Sequence, residues 1–374
     1  MKFIKTIILS LTLMMINSSL SLSLNNNQHI PVFLAADDNY APYVATTMAS
    51  ILKNTKSHVD FYVLSNKISQ INQQKIRNTK KFFPNSRFSV RFREIDMKKF
   101  EKFNGGFSRI TITAYVRWMI PDLYPNLNKA IYLDDDIIVV GDIAELYNQN
   151  LEGNIVGAIP DVSDISPNGP SRYKLLKKYG EFKNEYVWNS GVYLIDCQKW
   201  RENDITNKLI TQKQEIIDYH EKHNLKLGSA DQDTLNVVLQ DYKVLPLKYN
   251  MHPFAIHKCK KQNNCNQLLG QEGDELLKDA IIIHYATPEK PWKNNKTLMG
   301  EKFWQVVPYT DFADEIKQIH DNYQRDMKIM KNSDKNANKV NKYVRRKVKL
   351  VYILLGILIG LNAIVLFVLV RRRK

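Results

Sequence analysis

The chain has 374 residues, 44% of them hydrophobic and 25% charged, with 14 Gly, 13 Pro and 3 Cys. That composition excludes a collagen-like, disulfide-scaffold or globally disordered protein, and the length is ample for one big α/β domain or two smaller ones. The formal charge of +16 first suggests a polyanionic partner, but residues 317–374 carry +12 of it and residues 1–28 a further +2. The body from His29 to Ile316 is left at +2. A nucleic-acid binder needs its basic side chains on the folded body, so nucleic acid is not an expected partner.

In chain order, residues 1–28 open with Lys2 and Lys5, run through the apolar Ile7 to Ile16, and exit through the Ser-rich Asn17 to Leu24. This pattern predicts a secretory signal peptide, the apolar run being short for a membrane span. An uncleaved signal anchor is the alternative. Ile30 to Ala36 predicts a buried strand, Tyr43 to Asn54 a helix, Phe61 to Leu64 a strand and Ser69 to Phe83 a helix. Phe88 to Ile95 predicts a strand, Thr113 to Pro121 a helix, and Lys129 to Asp134 a fourth strand that continues after three carboxylates as Ile137 to Val140. Strands alternating with helices imply an α/β fold, a mostly parallel sheet with helices on both faces. Ligands of such sheets gather beyond the carboxyl ends of the strands, where Asp37-Asp38 and Asp134-Asp135-Asp136 fall.

Ile155 to Ile159 and Val192 to Ile195 predict strands on either side of a polar loop. Asp204 to His223 and Ala230 to Leu239 predict helices, and Ala280 to His284 a final strand. Cys259 and Cys265 lie in a stretch expected to be a polar loop, where a small disulfide is feasible in an oxidising compartment, and Cys197 is expected in the core. Residues 313–349 are polar and basic, a stalk whose first part is expected to be helical. Residues 350–370 hold no charge over 21 positions, and at ~1.5 Å per residue they reach about 31 Å, enough to cross a bilayer core. A transmembrane helix is therefore expected there, followed by the basic tail 371–374. Gly356 and Gly360 offer a small-residue face for a homodimer through that helix, and the basic flanks suit anionic membrane lipid. Signal peptide and span together predict a single-pass membrane protein with its body outside the cytosol. The local Lys and Arg count points instead to the cytosolic face.

In Tyr132-Leu-Asp-Asp-Asp-Ile-Ile-Val139, strand alternation puts Asp134 and Asp136 on one face and Asp135 on the other. Two carboxylates side by side repel unless a cation sits between them, and hard oxygen ligands favour Mg²⁺ or Mn²⁺. His284-Tyr-Ala-Thr-Pro-Glu-Lys-Pro-Trp292 also follows an apolar strand. Its imidazole completes a shell that Mn²⁺ tolerates better than Mg²⁺, and Lys290 is placed to meet phosphate as a point charge.

With these residues assembled, the chain resembles the family 8 glycosyltransferases over roughly Ile30 to Trp304. The strings that carry the resemblance occur in the family's order: AADDNYAPY from Ala35, ITITAYVRW from Ile110, YLDDDIIV from Tyr132, WNSGVYLI from Trp188, ADQDTLN from Ala230 and HYATPEKPW from His284. The resemblance implies a GT-A nucleotide-sugar transferase fold, a mostly parallel mixed sheet flanked by helices, in a catalytic domain at 29–312. It implies a retaining UDP-sugar-dependent hexosyltransferase using Mn²⁺, with Mg²⁺ as the substitute, acting on a glycan, glycoprotein or glycolipid. As UDP-sugars occur in the cytosol and in secretory-pathway lumens, the signal peptide then places the body in the ER or Golgi lumen. By the same resemblance Asp37, Asn39 and Tyr40 hold uracil and ribose, and Asp134, Asp136 and His284 hold the metal. Lys290 meets the diphosphate; Arg117, Asn189 and Asp231 surround the donor sugar; Gln232 faces the reacting carbon; Asp161 stands on the acceptor side. Thr287 departs from the Gly common among relatives, which puts the diphosphate loop in question.

Gln232 is a weak nucleophile, so its expected role is stabilising, with Asp231 the better candidate if a glycosyl-enzyme forms. Two other readings compete with catalysis. A catalytically inactive sugar-nucleotide-binding or scaffolding protein of the same fold would be expected to have lost a metal ligand. Asp37 as a helix cap, Arg117 as a surface charge, Trp292 as a packing residue and Asp231 as a first-turn helix acid are the structural alternatives.

Overall fold

The computed structural model describes residues 28–103, 112–163, 176–179, 186–223, 231–332, 335 and 342. The chain divides into two units, Met1–Lys317 and Gln318–Lys374. In the second, residues 318–332 are helical. In the first, the strands are β1 (His29–Asp37), β2 (His58–Asn66), β3 (Phe88–Glu94), β4 (Lys129–Leu133), β5 (Ile137–Val139), β6 (Val156–Pro160), β7 (Trp188–Asp196), β8 (Lys243–Val244) and β9 (Ile282–His284).

The main sheet has the order β3-β2-β1-β4-β7-β6-β8, and β5 pairs with β9 in a second, two-stranded sheet. The β3-β2-β1-β4 half is parallel, β7 runs antiparallel to both β4 and β6, and β8 is parallel to β6. The sheet is thus mixed. Ile30, Val32, Phe33 and Leu34 of β1 are all buried, because layers cover both faces; that is why the strand reads as an unbroken apolar run rather than an alternation. β3 forms the edge and carries Arg91 and Arg93, charges that discourage further strand pairing.

Local sequence sets the helix starts. Ser69 caps the helix Gln70–Arg77 by accepting from Asn72 N–H, and Asp196 caps Cys197–Glu202 by accepting from Lys199 N–H. Pro42 sits in the first turn of Ala41–Asn54, where its missing N–H costs nothing. Beneath the sheet, Trp118, Trp188, Trp200, Tyr115, Tyr132 and Tyr193 share one core with Leu209 and Leu235. Burial of each large side chain there contributes about 2–3 kcal/mol.

Several expectations are corrected. Ile137–Val139 does not continue β4 but leaves the main sheet to pair with β9. The expected helix at 113–121 is a tighter 3₁₀ segment, Ile112–Met119, that passes into the short α-turn Ile120–Leu123, with Pro121 in its first turn. β7 begins at Trp188 rather than Val192, with Trp188 paired to Pro160 of β6 beyond a register shift. The stretch around Cys259 and Cys265 is not a loop: Pro253–Lys261 and Cys265–Leu269 are helices, joined by a Cys259–Cys265 disulfide with Cα atoms 4.9 Å apart. Cys197 is buried and free, as a core residue should be.

The expected single-pass membrane location is not sustained. Among the described residues no helix is long and apolar enough to cross a membrane. The membrane helix assigned to 350–370, the basic tail 371–374 and the signal peptide, all but its last residue, lie outside the described residues. The membrane-lipid partner, the helix-mediated homodimer and the ER/Golgi or cytosolic-face placement rested on those segments and have no structural support.

Candidate active site

Two strand relationships build the site. Because β7 is antiparallel to β4, its first residues, Asn189 to Gly191, lie beside the carboxyl end of β4, and Asp134 N–H donates to Gly191 O at 2.8 Å. The β5–β9 register opposes Ile137 to His284, and Tyr285 N–H donates to Asp136 O at 3.0 Å. Asp134, Asp136 and His284 therefore converge, each offering one ligand atom, with those atoms all within 4.8 Å of one another. Gly191 makes this possible. A Cβ there would stand 2.3 Å from His284 Cε1 and 2.8 Å from Asp134 Oδ2.

The polar partners leave one atom of each ligand free to face the others. Asp134 Oδ1 accepts from Tyr132 O–H at 2.9 Å and lies 3.0 Å from Arg117 Nη2, leaving Oδ2 toward His284. Lys290 Nζ donates to Asp136 Oδ2 and to Tyr285 O. Asp136 Oδ1 faces His284 Nε2 at 3.1 Å, yet it is buried without a hydrogen-bond donor. An orphaned carboxylate oxygen opposite a ring nitrogen, walled by a glycine that admits no side chain, fits a divalent cation. Burial alone would raise the Asp136 carboxyl, but the Lys290 ammonium beside it holds it well below the usual range. Burial, with Asp134 and Asp136 adding to it, pushes Asp135 well above that range.

The described residues contain one other group with ligand-like spacing, His29, His58 and Asp60. There the two imidazoles stack with centroids 3.9 Å apart, so their in-plane lone pairs run side by side instead of converging. Arg91 Nη1 stands 3.5 Å from Asp60 Oδ1, where it already offsets the carboxylate. That cluster is a neutralised aspartate rather than a metal centre.

The converging carboxylates and His284 open onto a cavity of about 760 Å³. Asp37, Tyr40, Arg117, Asn189, Asp231, Gln232, Thr287 and Lys290 are among its lining residues. Asp37 Oδ1 accepts from Asn39 N–H at 3.0 Å and Tyr40 N–H at 3.2 Å, so it does cap a 3₁₀ turn, and that cap presents Tyr40, 41% exposed, at the rim. Two predicted residues stay off the wall: Asn39 is exposed outside it, and Asp161 lies one layer behind, accepting from Gln232 Nε2 at 2.9 Å. Trp292 packs, stacked on Tyr43 at 3.9 Å.

Arg117 is not a surface charge. It is 5% exposed, its Nη1 donates to Ser190 O at 2.6 Å, and its Nε lies 3.2 Å from Asp231 Oδ2. Burial works against the guanidinium, but Asp134 and Asp231 together hold it firmly charged. Burial raises the Asp231 carboxyl despite Arg117. Gln232 Oε1 accepts from Ser190 N–H at 3.1 Å and Asn189 Nδ2 at 3.3 Å. Asp135, Ser190, Gly191 and Asn250 were not anticipated as site residues. Gly191 and Ser190 stand inside the WNSG string, whereas nothing in the sequence around Asn250 signals a role.

The profile of the family described as Glycosyl transferase family 8 matches residues 31–296. General stress protein A of Bacillus subtilis (strain 168) is 29% identical over 283 residues, spanning 74% of this chain and 92% of its own length. Lipopolysaccharide 1,2-glucosyltransferase of Escherichia coli (strain K12) is 24% identical over 293 residues, spanning 76% of this chain and 79% of its own. The crystal structure of the galactosyltransferase LgtC in complex with donor and acceptor sugar analogues superposes with a TM-score of 0.61 at 24% identity, over 75% of this chain and 96% of its own. That likeness supports a GT-A-like α/β fold. With the family profile matched across the cavity residues from Asp37 to Lys290, the chain belongs to glycosyl transferase family 8.

Proposed function

We propose that residues 29–312 form the catalytic domain of a retaining hexosyltransferase. It moves glucose or galactose from a UDP-sugar to a hydroxyl of a glycan, glycoprotein or glycolipid, with Mn²⁺ preferred and Mg²⁺ tolerated. The observation that carries this reading is the convergence of Asp134 Oδ2, Asp136 Oδ1 and His284 Nε2 at the mouth of a cavity lined by cations and amides. A mixed oxygen and imidazole shell favours Mn²⁺ over Mg²⁺. A cation held there would supply Lewis-acid stabilisation of the leaving diphosphate.

The chain's own residues do the rest. Tyr40 stacks on uracil at the rim, with Asp37 holding uracil and ribose; Asn39, outside the wall, acts there only through the backbone N–H that it donates to Asp37. Lys290 exchanges its contact with Asp136 for a diphosphate oxygen, adding a point charge where negative charge develops. Arg117 holds Asp134 and Asp231 in fixed positions against the donor sugar, beside Asn189. Gln232 has both ends of its amide committed to Ser190, Asn189 and Asp161. It therefore forms a rigid polar wall beside the anomeric carbon and is no nucleophile. The bond from the anomeric carbon to the UDP oxygen breaks as the acceptor oxygen bonds from the same face. The acceptor's proton passes to the departing phosphate. Asp231 is the candidate nucleophile should a covalent intermediate form, and Asp161 sits behind the acceptor side. Thr287, at the cavity wall, narrows the diphosphate loop relative to glycine.

The test is UDP release from a panel of UDP-sugars by the purified protein in Mn²⁺. Turnover of UDP-glucose or UDP-galactose is expected. Mn²⁺-dependent UDP binding with no release from any donor would instead support an inactive sugar-nucleotide-binding or scaffolding protein.

A further inference from the structure

We infer that Asn250 is a positioning residue that fixes the ring tautomer of His284, so that Nε2 meets the metal as a bare lone pair. The inference rests on the metal site proposed above. Asn250 ends the 3₁₀ turn Leu247–Tyr249, and its neighbour Met251 is pinned to β9: Met251 N–H donates to Ile282 O at 2.8 Å, and His284 N–H donates to Met251 O at 2.8 Å. The Asn250 side chain is thereby held against the His284 ring.

The orientation follows from a backbone group whose role is not in question. Gly191 N–H is a donor only, and it meets Asn189 Oδ1 at 3.0 Å, so that atom is the amide oxygen. Asn250 Nδ2 donates to the same oxygen at 3.0 Å. Asn250 Oδ1 must then turn the other way, toward His284 Nδ1 at 2.9 Å and His252 Nε2 at 3.2 Å. An amide oxygen accepts only, so both of those ring nitrogens carry hydrogen. In neutral His284 this leaves Nε2 unprotonated, facing Asp136 Oδ1 at 3.1 Å and Asp134 Oδ2 at 3.9 Å. The lack of any donor to Asp136 Oδ1 agrees with a bare Nε2.

The opposite tautomer would set an imidazole lone pair against Asn250 Oδ1 at a buried contact. Asn189, Asn250, His252 and His284 are all buried, at 8%, 1%, 3% and 3% exposure. Asn189 also gives its Nδ2 to Gln232 Oε1, and Gln232 Nε2 donates to Asp161. One run of oriented amides thus links the metal ligand to the acceptor-side carboxylate. A ligand-bearing imidazole is ordinarily aimed by the partner of its other nitrogen. Here that partner is a neutral amide, itself oriented from the backbone of β7.

Long-range ¹H–¹⁵N spectra of the metal-free full chain, labelled at histidine, read the tautomer directly, with His284 assigned by its loss in His284→Gln. Protonated Nδ1 and bare Nε2 are expected; protonated Nε2 would overturn the inference. Asn250→Leu keeps the volume and removes the acceptor. It should weaken Mn²⁺ binding, read by electron paramagnetic resonance of free Mn²⁺, about 10–100-fold. Asn250→Asp keeps an acceptor for Nδ1–H and should restore affinity close to the unmodified protein. Unchanged Mn²⁺ affinity in folded Asn250→Leu would also overturn it. If Asn250→Leu fails to fold, the spectra of the unmodified chain decide. Mn²⁺ binding with the Nε2–H tautomer sinks this inference alone, whereas the expected tautomer without any Mn²⁺ binding sinks the proposed function and leaves it standing.

Discussion

Arg117 Nη2 lies 3.0 Å from Asp134 Oδ1, so a fully enclosed guanidinium immobilises one oxygen of a metal-ligand carboxylate and leaves the other facing His284. The same guanidinium reaches Asp231 and the carbonyl of Ser190. Lysine keeps the charge but cannot span three partners with one ammonium. Arg117→Lys should fold and lose about 10- to 100-fold in turnover. Arg117→Ala leaves the buried Asp231 carboxylate without its cation and the half-buried Asp134 with only Tyr132 as donor, and should cost about 3–5 kcal/mol in urea unfolding. A fully active Arg117→Lys would show that the fork geometry is irrelevant.

Gly191→Ala tests the walls of the metal pocket. The added methyl would overlap His284 Cε1 at 2.3 Å and crowd Asp134 Oδ2 at 2.8 Å, so both must move. Displacement of about 1 Å at a reacting site costs on the order of 100-fold. Loss of Mn²⁺ affinity and turnover together, with the far-ultraviolet circular dichroism unchanged, is the expected result. Retained affinity would mean that His284 and Asp134 are not the ligands.

Lys213 gives a pH signature. It is 1% exposed, and burial pushes its ammonium down to about 8 from an ordinary 10.5, with Asp231 and Asp233 pulling the other way. Between those values the unfolded chain holds a proton that the folded chain has shed, so stability contributed by this group rises with pH across pH 8 to 10.5. The slope approaches about 1.4 kcal/mol per pH unit in the middle of the window. Subtracting urea-unfolding curves of Lys213→Met from those of the unmodified chain should isolate it. Equal slopes in both proteins would contradict the assignment.

The three cysteines should behave differently. Burial pushes the free Cys197 thiol up to about 12, Arg201 opposing and Asp196 adding to it. Native protein at pH 8 should resist iodoacetamide at Cys197, and urea should expose it. The Cys259–Cys265 disulfide closes a short loop, and by the chain-entropy estimate its removal in Cys259→Ser should cost about 2 kcal/mol. Rapid native alkylation of Cys197 would place that residue at the surface instead.

The parallel half of the sheet was legible because strands buried on both faces read as continuous apolar runs, as Ile30–Leu34 does. The carboxylate cluster was legible because Asp134 and Asp136 interrupt such a run at a strand end. What escaped depended on polar residues in ordered elements. Trp188, Asn189 and Ser190 lack a strand pattern, yet β7 extends through them to the pairing of Trp188 with Pro160 of β6, which sets the Asn189 amide and the Ser190 N–H against Gln232. The helices Pro253–Lys261 and Cys265–Leu269 bury only Pro253, Ile256, Cys259 and Cys265, too short a stripe among Lys, Gln and Asn to read as helical, and a disulfide marks them instead. Asn250 acquires its role from residues 61 positions before it and 34 after, a juxtaposition that only the fold creates.

The central claim is that Asp134 and Asp136, with His284, hold a divalent cation essential for sugar transfer. The most direct measurement is UDP release from UDP-glucose and UDP-galactose in Mn²⁺ by the unmodified chain and by the double variant Asp134→Ala with Asp136→Ala. Turnover by the unmodified chain, its loss on chelation with EDTA and its recovery with added Mn²⁺ are predicted, with none by the double variant at any Mn²⁺ concentration. Near-normal turnover in that variant, or turnover indifferent to chelation, would contradict the account.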